Sequence, residues 1–301
     1  MRFGIMALQA DMLIPPEVQS LPSDRALARM AAFDHAGMVR RLHEQGFDPI
    51  EIGGDLAMIL PHTFSPAAMQ GLADLKAELG LSYTVHLPLW SVEASTMLDP
   101  VRQGSVEALV KAIQSTRLLQ PEVYVLHATG ALAAEFYRMS LPSLAHAFVL
   151  HRFQTNAGQS IQETLESTGL SPRQVALETI EFPFELTLEL AEELDLSICF
   201  DTGHMLAGLA GPVDLFEALE CCLPRLAEVH LHDAPRHDPQ RKALYSRDHM
   251  PLGAGDLDVG RFLDCLSAAH FNGPLILELQ VAKALASLDL IRSLRPNVLT
   301  T

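Results

Sequence analysis

Eight short apolar runs alternate along this chain with longer segments of helical periodicity. The runs cover Phe3–Ala7, Pro49–Gly53, Ser82–Leu87, Val123–His127, Gln174–Glu178, Leu196–Asp201, Ala227–Leu231 and Leu275–Leu279. Most are continuously hydrophobic rather than alternating, the pattern of parallel strands covered on both faces. Between the runs, residues 24–45 place Leu27, Met30, Ala31, Met38 and Leu42 on one helical face, with Ser23 as N-cap and Gly46 as stop signal. Residues 101–119 put Val106, Leu109, Val110 and Ile113 at helical spacing. Eight strand–helix units in 301 residues predict an α/β fold, a parallel eight-stranded (β/α)8 TIM barrel, as a single domain over residues 1–301. The competing open, doubly wound sheet would carry a phosphate-binding glycine fingerprint after an early strand. Gly53-Gly54 lacks that spacing.

Two connections are longer than the rest. Residues 131–172 carry helical periodicity and predict one long or two short helices. Residues 232–257 are polar and punctuated by Pro and Gly. A long irregular loop of this kind in a compact domain usually serves function, and here it would hang over the barrel mouth.

Composition narrows the partners. With 37 acidic against 21 basic residues the formal charge is −16, which repels a nucleic-acid backbone and points to a small-molecule substrate. The four cysteines, Cys199, Cys221, Cys222 and Cys265, form no CxxC pair and predict reduced thiols in a cytoplasmic protein. The N-terminal stretch lacks a secretory apolar core, and no run is long enough to span a bilayer. A homo-oligomer is left open.

The chemistry lies at the ends of the runs. His86, His127, Glu178, Asp201, His230 and Glu278 all stand at or near the last position of a predicted strand. In a barrel of this kind those ends form the active-site face. Glu178, Asp201, His230 and Glu278 come from four successive strands, and three carboxylates with one imidazole suit Mn²⁺, Mg²⁺, Co²⁺ or Zn²⁺. Any one of these carboxylates could instead cap a helix or sit in an ion pair. Four together, buried without a cation, would be costly. His86 and His127 read either as satisfied core histidines or as further ligands, in which case Glu178 could bridge two ions.

His204, three residues after Asp201, and His249, in the long loop, could hold a third ion with Asp248 or His232 as helper; His204 could equally contact substrate. In the His230-x-His232 pair the deeper His230 is expected to ligate and His232 to contact substrate or Asp233. Arg247, Trp90 and Glu51 are further expected substrate contacts. His35, His43, His62, His146, His151, His237 and His270 have no partner pattern and read as surface or packing residues.

Several strings resemble the xylose isomerase-like, AP endonuclease family 2 superfamily from the third strand onward. FDTGH resembles its D-T-x-H segment, HLHD its H-x-x-D segment and DHMPLGAGDLD its H-x-x-L-G-x-G turn, while ETIE and LELQ carry its two glutamates. The resemblance implies a TIM barrel with a divalent-metal site at its mouth. Sugar isomerases of the group use mainly the Glu178, Asp201, His230, Glu278 set with one ion. Endonuclease IV adds histidines matched by His86, His127, His204 and His249, but its loop aspartate falls on Arg247 here, with Asp248 adjacent. YTVHLPL, YVLHATG, FDTGHMLAG and RDHMPLG also resemble the cobamide-remodelling phosphodiesterases.

The expectation is therefore a metal-dependent phosphoester hydrolase of a small nucleotide-like or cobamide-like diester. It would hold one to three ions, zinc or manganese, with Glu178 and Glu278 catalytic. The alternative is a sugar or sugar-phosphate isomerase or epimerase working through an enediolate. An AP endonuclease, whose basic loop would be Arg236, Arg241, Lys242 and Arg247, comes third.

Overall fold

A computed structural model of the chain describes residues 1–14, 18, 20–237 and 248–299. Eight strands close a barrel in strict sequence order: β1 (Arg2–Met6), β2 (Ile50–Gly53), β3 (Tyr83–His86), β4 (Tyr124–Leu126), β5 (Val175–Glu178), β6 (Ser197–Asp201), β7 (Leu226–His230) and β8 (Pro274–Leu277). Every pair is parallel, and β8 returns to β1 with Phe3 opposite Leu275 and Ile5 opposite Leu277. Strands β2 to β6 and β8 are buried at every position, which is why their sequences do not alternate. The eight-stranded TIM barrel expected from the pattern is the fold.

Some boundaries shift for local reasons. The segment 24–45 is two helices, Ser23–Ala31 and His35–Glu44. Asp34 breaks it by capping the second helix, its carboxylate accepting from the Gly37 amide at 2.9 Å. Only the second helix buries its apolar face, with Met38, Val39 and Leu42 inside. The first buries none of its residues, so Leu27 is exposed. Residues 131–172 form one short and one long helix, Ala131–Arg138 and Ser143–Thr168. No helix among the described residues is long and apolar enough to cross a membrane.

Inside the barrel, apolar layers give way to polar side chains just beneath the C-terminal end. Glu51 on β2, Thr84 on β3 and Glu228 on β7 are completely buried there.

Candidate metal centre

Glu178 stands at the centre of the C-terminal face, and its two oxygens look in different directions. Oε2 lies 3.0 Å from His86 Nε2 and 2.8 Å from His127 Nε2. Oε1 lies 3.3 Å from His230 Nδ1 and 3.4 Å from His204 Nδ1. His230 Nδ1 in turn faces Glu278 Oε1 at 3.5 Å and Asp201 Oδ2 at 3.9 Å. A single carboxylate thus joins a two-histidine group to a group of one histidine and two more carboxylates.

The nitrogen that each histidine presents follows from what its other nitrogen does. His86 Nδ1 donates to the Leu87 carbonyl at 2.9 Å, leaving Nε2 to face Glu178. His204 Nδ1 donates to the Thr179 carbonyl at 3.2 Å, so Nε2 turns outward, 3.8 Å from Asp248 Oδ2. His232 is the reverse case. Its Nδ1 accepts from the His249 amide at 3.0 Å, so the ring proton sits on Nε2 and is donated to Asp201 Oδ2 at 2.9 Å. A ring in that tautomer offers no free lone pair at Nε2. His232 is also fully buried. The expected substrate contact is therefore a brace for Asp201.

Asp201 combines two of the readings open for it. Oδ1 caps the short helix Thr202–Leu206 through the His204 amide at 2.6 Å, and Oδ2 turns toward the centre. Gly203 is required here, because a Cβ would lie 2.1 Å from the His232 ring.

The loop motif DHMPLGAGDL is organised by Asp233. Its carboxylate accepts from the amides of Gly253, Gly255 and Leu257 at 2.8, 3.0 and 2.9 Å. A Cβ at Gly255 would sit 2.4 Å from that carboxylate, which explains the second glycine of the motif. The turn delivers His249 in the left-handed region, at φ 54°, an uncommon conformation for a residue with a Cβ. The His249 ring stacks on His232 with centroids 4.2 Å apart. Its Nε2 reaches Glu278 Oε2 at 3.2 Å and its Nδ1 reaches Asp248 Oδ1 at 3.3 Å. Asp248 thus stands between His204 and His249, one position after Arg247. Arg247 itself, with Arg241 and Lys242, lies outside the described residues. Arg236 lies within them, 3.7 Å from Asp214.

Electrostatics mark the same residues. Burial disfavours charge on His86 and His204, but Glu178 beside the first and Asp201 and Glu178 beside the second raise both to about 9. Burial likewise opposes charge on His249, and bonds to Asp248 and Glu278 lift it to about 11. Against its burial, His230 is raised well above the ordinary range by the groups around it, Cys199, Glu278, Glu178 and Glu51. Burial alone would raise Glu178, yet His127 and His230 hold it well below the ordinary carboxylate range. Without a metal, protons on imidazoles balance the carboxylates.

The donor set fits divalent ions. Bonds of about 2.0–2.2 Å to N and O ligands put neighbouring donor atoms roughly 3.0–3.5 Å apart. Most of the separations above fall at or near that range. Both ring nitrogens of His230 are buried without a hydrogen bond, and Nδ1 is the one aimed at three carboxylates. Glu178, Asp201, His230 and Glu278 form one compact group of donor atoms, and His86, His127 and Glu178 form another.

A cavity of about 500 Å³ opens above the centre. His86, His127, Glu178, His204, His249 and Glu278 line its floor, and Met6, Leu8, Leu89, Trp90 and Leu279 give it an apolar wall. Two polar groups on the rim are already engaged. Gln9 bonds the Met6 and Leu279 carbonyls and the Val281 amide, and Asp55 holds the Leu89 and Trp90 amides. Exposed Lys283 also lines the cavity and was not foreseen, since a lone lysine opening a helix carries no sequence signal. Trp90 stands at this mouth, 55% exposed. Glu51 does not. It is fully buried beneath His230, with Oε2 3.4 Å from Nε2, so the expectation that it touches substrate fails. Glu228 beside it was overlooked, although its place two residues before His230 puts it on the same strand face.

Residues 39–295 match the family model described as xylose isomerase-like TIM barrel. An uncharacterized protein of Methanocaldococcus jannaschii is 25% identical over 253 residues, covering 80% of this chain and 77% of that protein. A D-tagatose 3-epimerase-like protein superposes with a TM-score of 0.71 at 22% identity, over 99% of this chain and 98% of its own. Endonuclease IV from Thermus thermophilus superposes with a TM-score of 0.65 at 18% identity, over 99% of this chain and 100% of its own.

Proposed function

The chain belongs to the xylose isomerase-like TIM-barrel family, a family of enzymes, and from that premise we propose that it is a metal-dependent phosphoester hydrolase. Its substrate in this reading is a small nucleotide-like or cobamide-like phosphodiester, bound at the C-terminal mouth of the barrel. The observation that carries the reading is the two-sided engagement of Glu178, with His86 and His127 at one oxygen and His230 at the other. In a one-ion isomerase His86 and His127 would instead have to serve as substrate contacts.

Glu178, Asp201, His230 and Glu278 would hold one ion, and His86, His127 and Glu178 a second. Asp248, His204 and His249 supply donors for a third. Zinc or manganese bound there would polarise phosphoryl oxygens and lower the pKa of a water, the chemistry that makes a diester cleavable near neutral pH. The protein's own residues do the rest. Glu278 faces the centre with one oxygen and His249 with the other, a position from which it can orient the attacking water. The apolar wall with Trp90 suits a ring carried on one ester arm, and Lys283 suits an anionic oxygen. The wall offers few free donors for the hydroxyls of an open-chain ketose. The acidic balance of the chain disfavours duplex DNA.

The second reading, a sugar or sugar-phosphate epimerase, draws on the same four residues around His230. There Glu178 and Glu278 would pass a proton across an enediolate. Metal analysis after stringent purification, followed by a paired screen of phosphodiesters and ketoses, separates the two. Two or more ions with diester cleavage and no ketose turnover supports the hydrolase. One ion with ketose turnover overturns it.

A further inference from the structure

The most deeply placed polar group near the centre lies away from the cavity, where Glu51 and Glu228 form a further close cluster with His230. Glu51 Oε2 lies 3.4 Å from His230 Nε2, and both atoms are buried without a hydrogen bond. On its far side, Thr84 Oγ1 lies 3.5 Å from Glu51 Oε1 and 3.1 Å from Glu228 Oε1. These residues come from β2, β3 and β7, in a layer that apolar side chains would normally fill in such a barrel. A buried acidic pair has no structural merit of its own, because two apolar residues of equal volume would pack there at lower cost.

We propose that Glu51 is the positioning residue for His230, accepting the Nε2 proton so that Nδ1 presents its lone pair to the centre, with Thr84 and Glu228 fixing the Glu51 carboxyl from behind. The inference rests on reading His230 as a metal ligand. His230 needs such a partner more than the other ligands do. His86 and His204 orient themselves by donating to backbone carbonyls, and no such carbonyl is bonded to His230. Its stack on His86 is loose, with centroids 5.7 Å apart, and does little to fix the ring. A carboxylate behind a ligating imidazole fixes the tautomer and makes the ring a better donor, and its loss typically costs about 10–100-fold in metal affinity.

The consequence is specific to one side of Glu178. Glu51 serves the ion held with Asp201, His230 and Glu278, and it reaches the His86 side only as a charge acting on the His86 ring. The test is metal binding by the full chain without substrate, titrating Co²⁺ and Zn²⁺ into metal-free protein and recording the Co²⁺ visible spectrum. Glu51→Ala should weaken one class of ion about 10–100-fold, leave the other within about twofold, and change the spectrum of the weakened class. Glu51→Gln keeps the length and an acceptor oxygen, folds without opening a cavity, and should recover most of the loss. Unchanged affinity for every ion in Glu51→Ala would overturn the proposal. So would a loss shared equally by all ions, or one that Glu51→Gln fails to recover. Because no turnover is measured, these outcomes are independent of whether the wild type proves to cleave diesters or to epimerise sugars, which its own ion count and substrate screen decide.

Discussion

The two sides of Glu178 are built differently. On the Asp201, His230, Glu278 side the histidine is wholly buried and one carboxylate is held from outside, Asp201 by the His204 amide and His232. On the other side His127 is partly exposed and lines the cavity. The first side is a braced socket set into the barrel. The second is closer to the surface and rests on fewer fixed contacts. In the two-ion reading proposed above, the difference would give a firmly held ion on one side and a more readily exchanged one on the other, joined through Glu178.

Removing the shared group should erase the distinction. Glu178→Gln is expected to lose ions from both sides and lower diester cleavage by roughly 10³-fold or more, as measured by metal analysis and turnover of a chromogenic diester. A variant that keeps both ions would show that Glu178 does not join them. His127→Ala should remove only the exposed-side ion and lower turnover by about 10²-fold, with the socket ion still present in the dialysed protein. Loss of every ion, or of none, would abolish the proposed division.

Asp248→Asn probes a third, weaker region, where the carboxylate stands between His204 and His249. A reduction of about tenfold or less is expected, with the two main ions retained. A larger loss would make the loop position as important as the socket.

The smallest effect is one of pH on the metal-free protein. His86 and His204 titrate near 9 and His249 near 11, all above the ordinary value of 6.5. Groups raised on folding add stability that is complete below 6.5 and fades as pH rises through the folded values. With chelator present, the melting temperature should therefore fall by a few degrees between pH 7 and 10. With metal present the trend should reverse, since ions compete with those same protons and bind more tightly as pH rises. Equal slopes with and without chelator would mean that the histidines are not the metal's competitors. Trp90→Ala belongs at this end too. A rise of a few-fold in KM at nearly constant kcat is expected if its ring meets a part of the substrate remote from the reaction.

How far the sequence carried can be judged residue by residue. The strand count, their parallel order and the gathering of His86, His127, Glu178, Asp201, His204, His230, His249 and Glu278 at one face were all legible. Most follow from a short-range signal, an apolar run and a polar residue where it stops, while His204 and His249 came from the motifs that carry the family resemblance. The errors have one source. Glu51 and His232 were assigned to substrate because both lie near strand ends, yet one sits beneath the centre and the other behind Asp201. Depth inside a barrel depends on register and strand tilt between neighbours, which no single strand encodes. The loop is a separate case. Arg247 stands where the resemblance placed an aspartate, and Asp248, expected beside it as a helper, faces both His204 and His249.

The sequence by itself determined the barrel and most of the side chains gathered at its mouth, because hydrophobic runs and their terminal residues are local properties. Only the tertiary structure decided which nitrogen each imidazole presents. That choice belongs to the partner on the ring's far side: a backbone carbonyl for His86 and His204, a backbone amide for His232 and, in the proposal above, the Glu51 carboxylate for His230. A histidine can donate from only one nitrogen while it ligates with the other, so these partners settle which rings can serve as ligands.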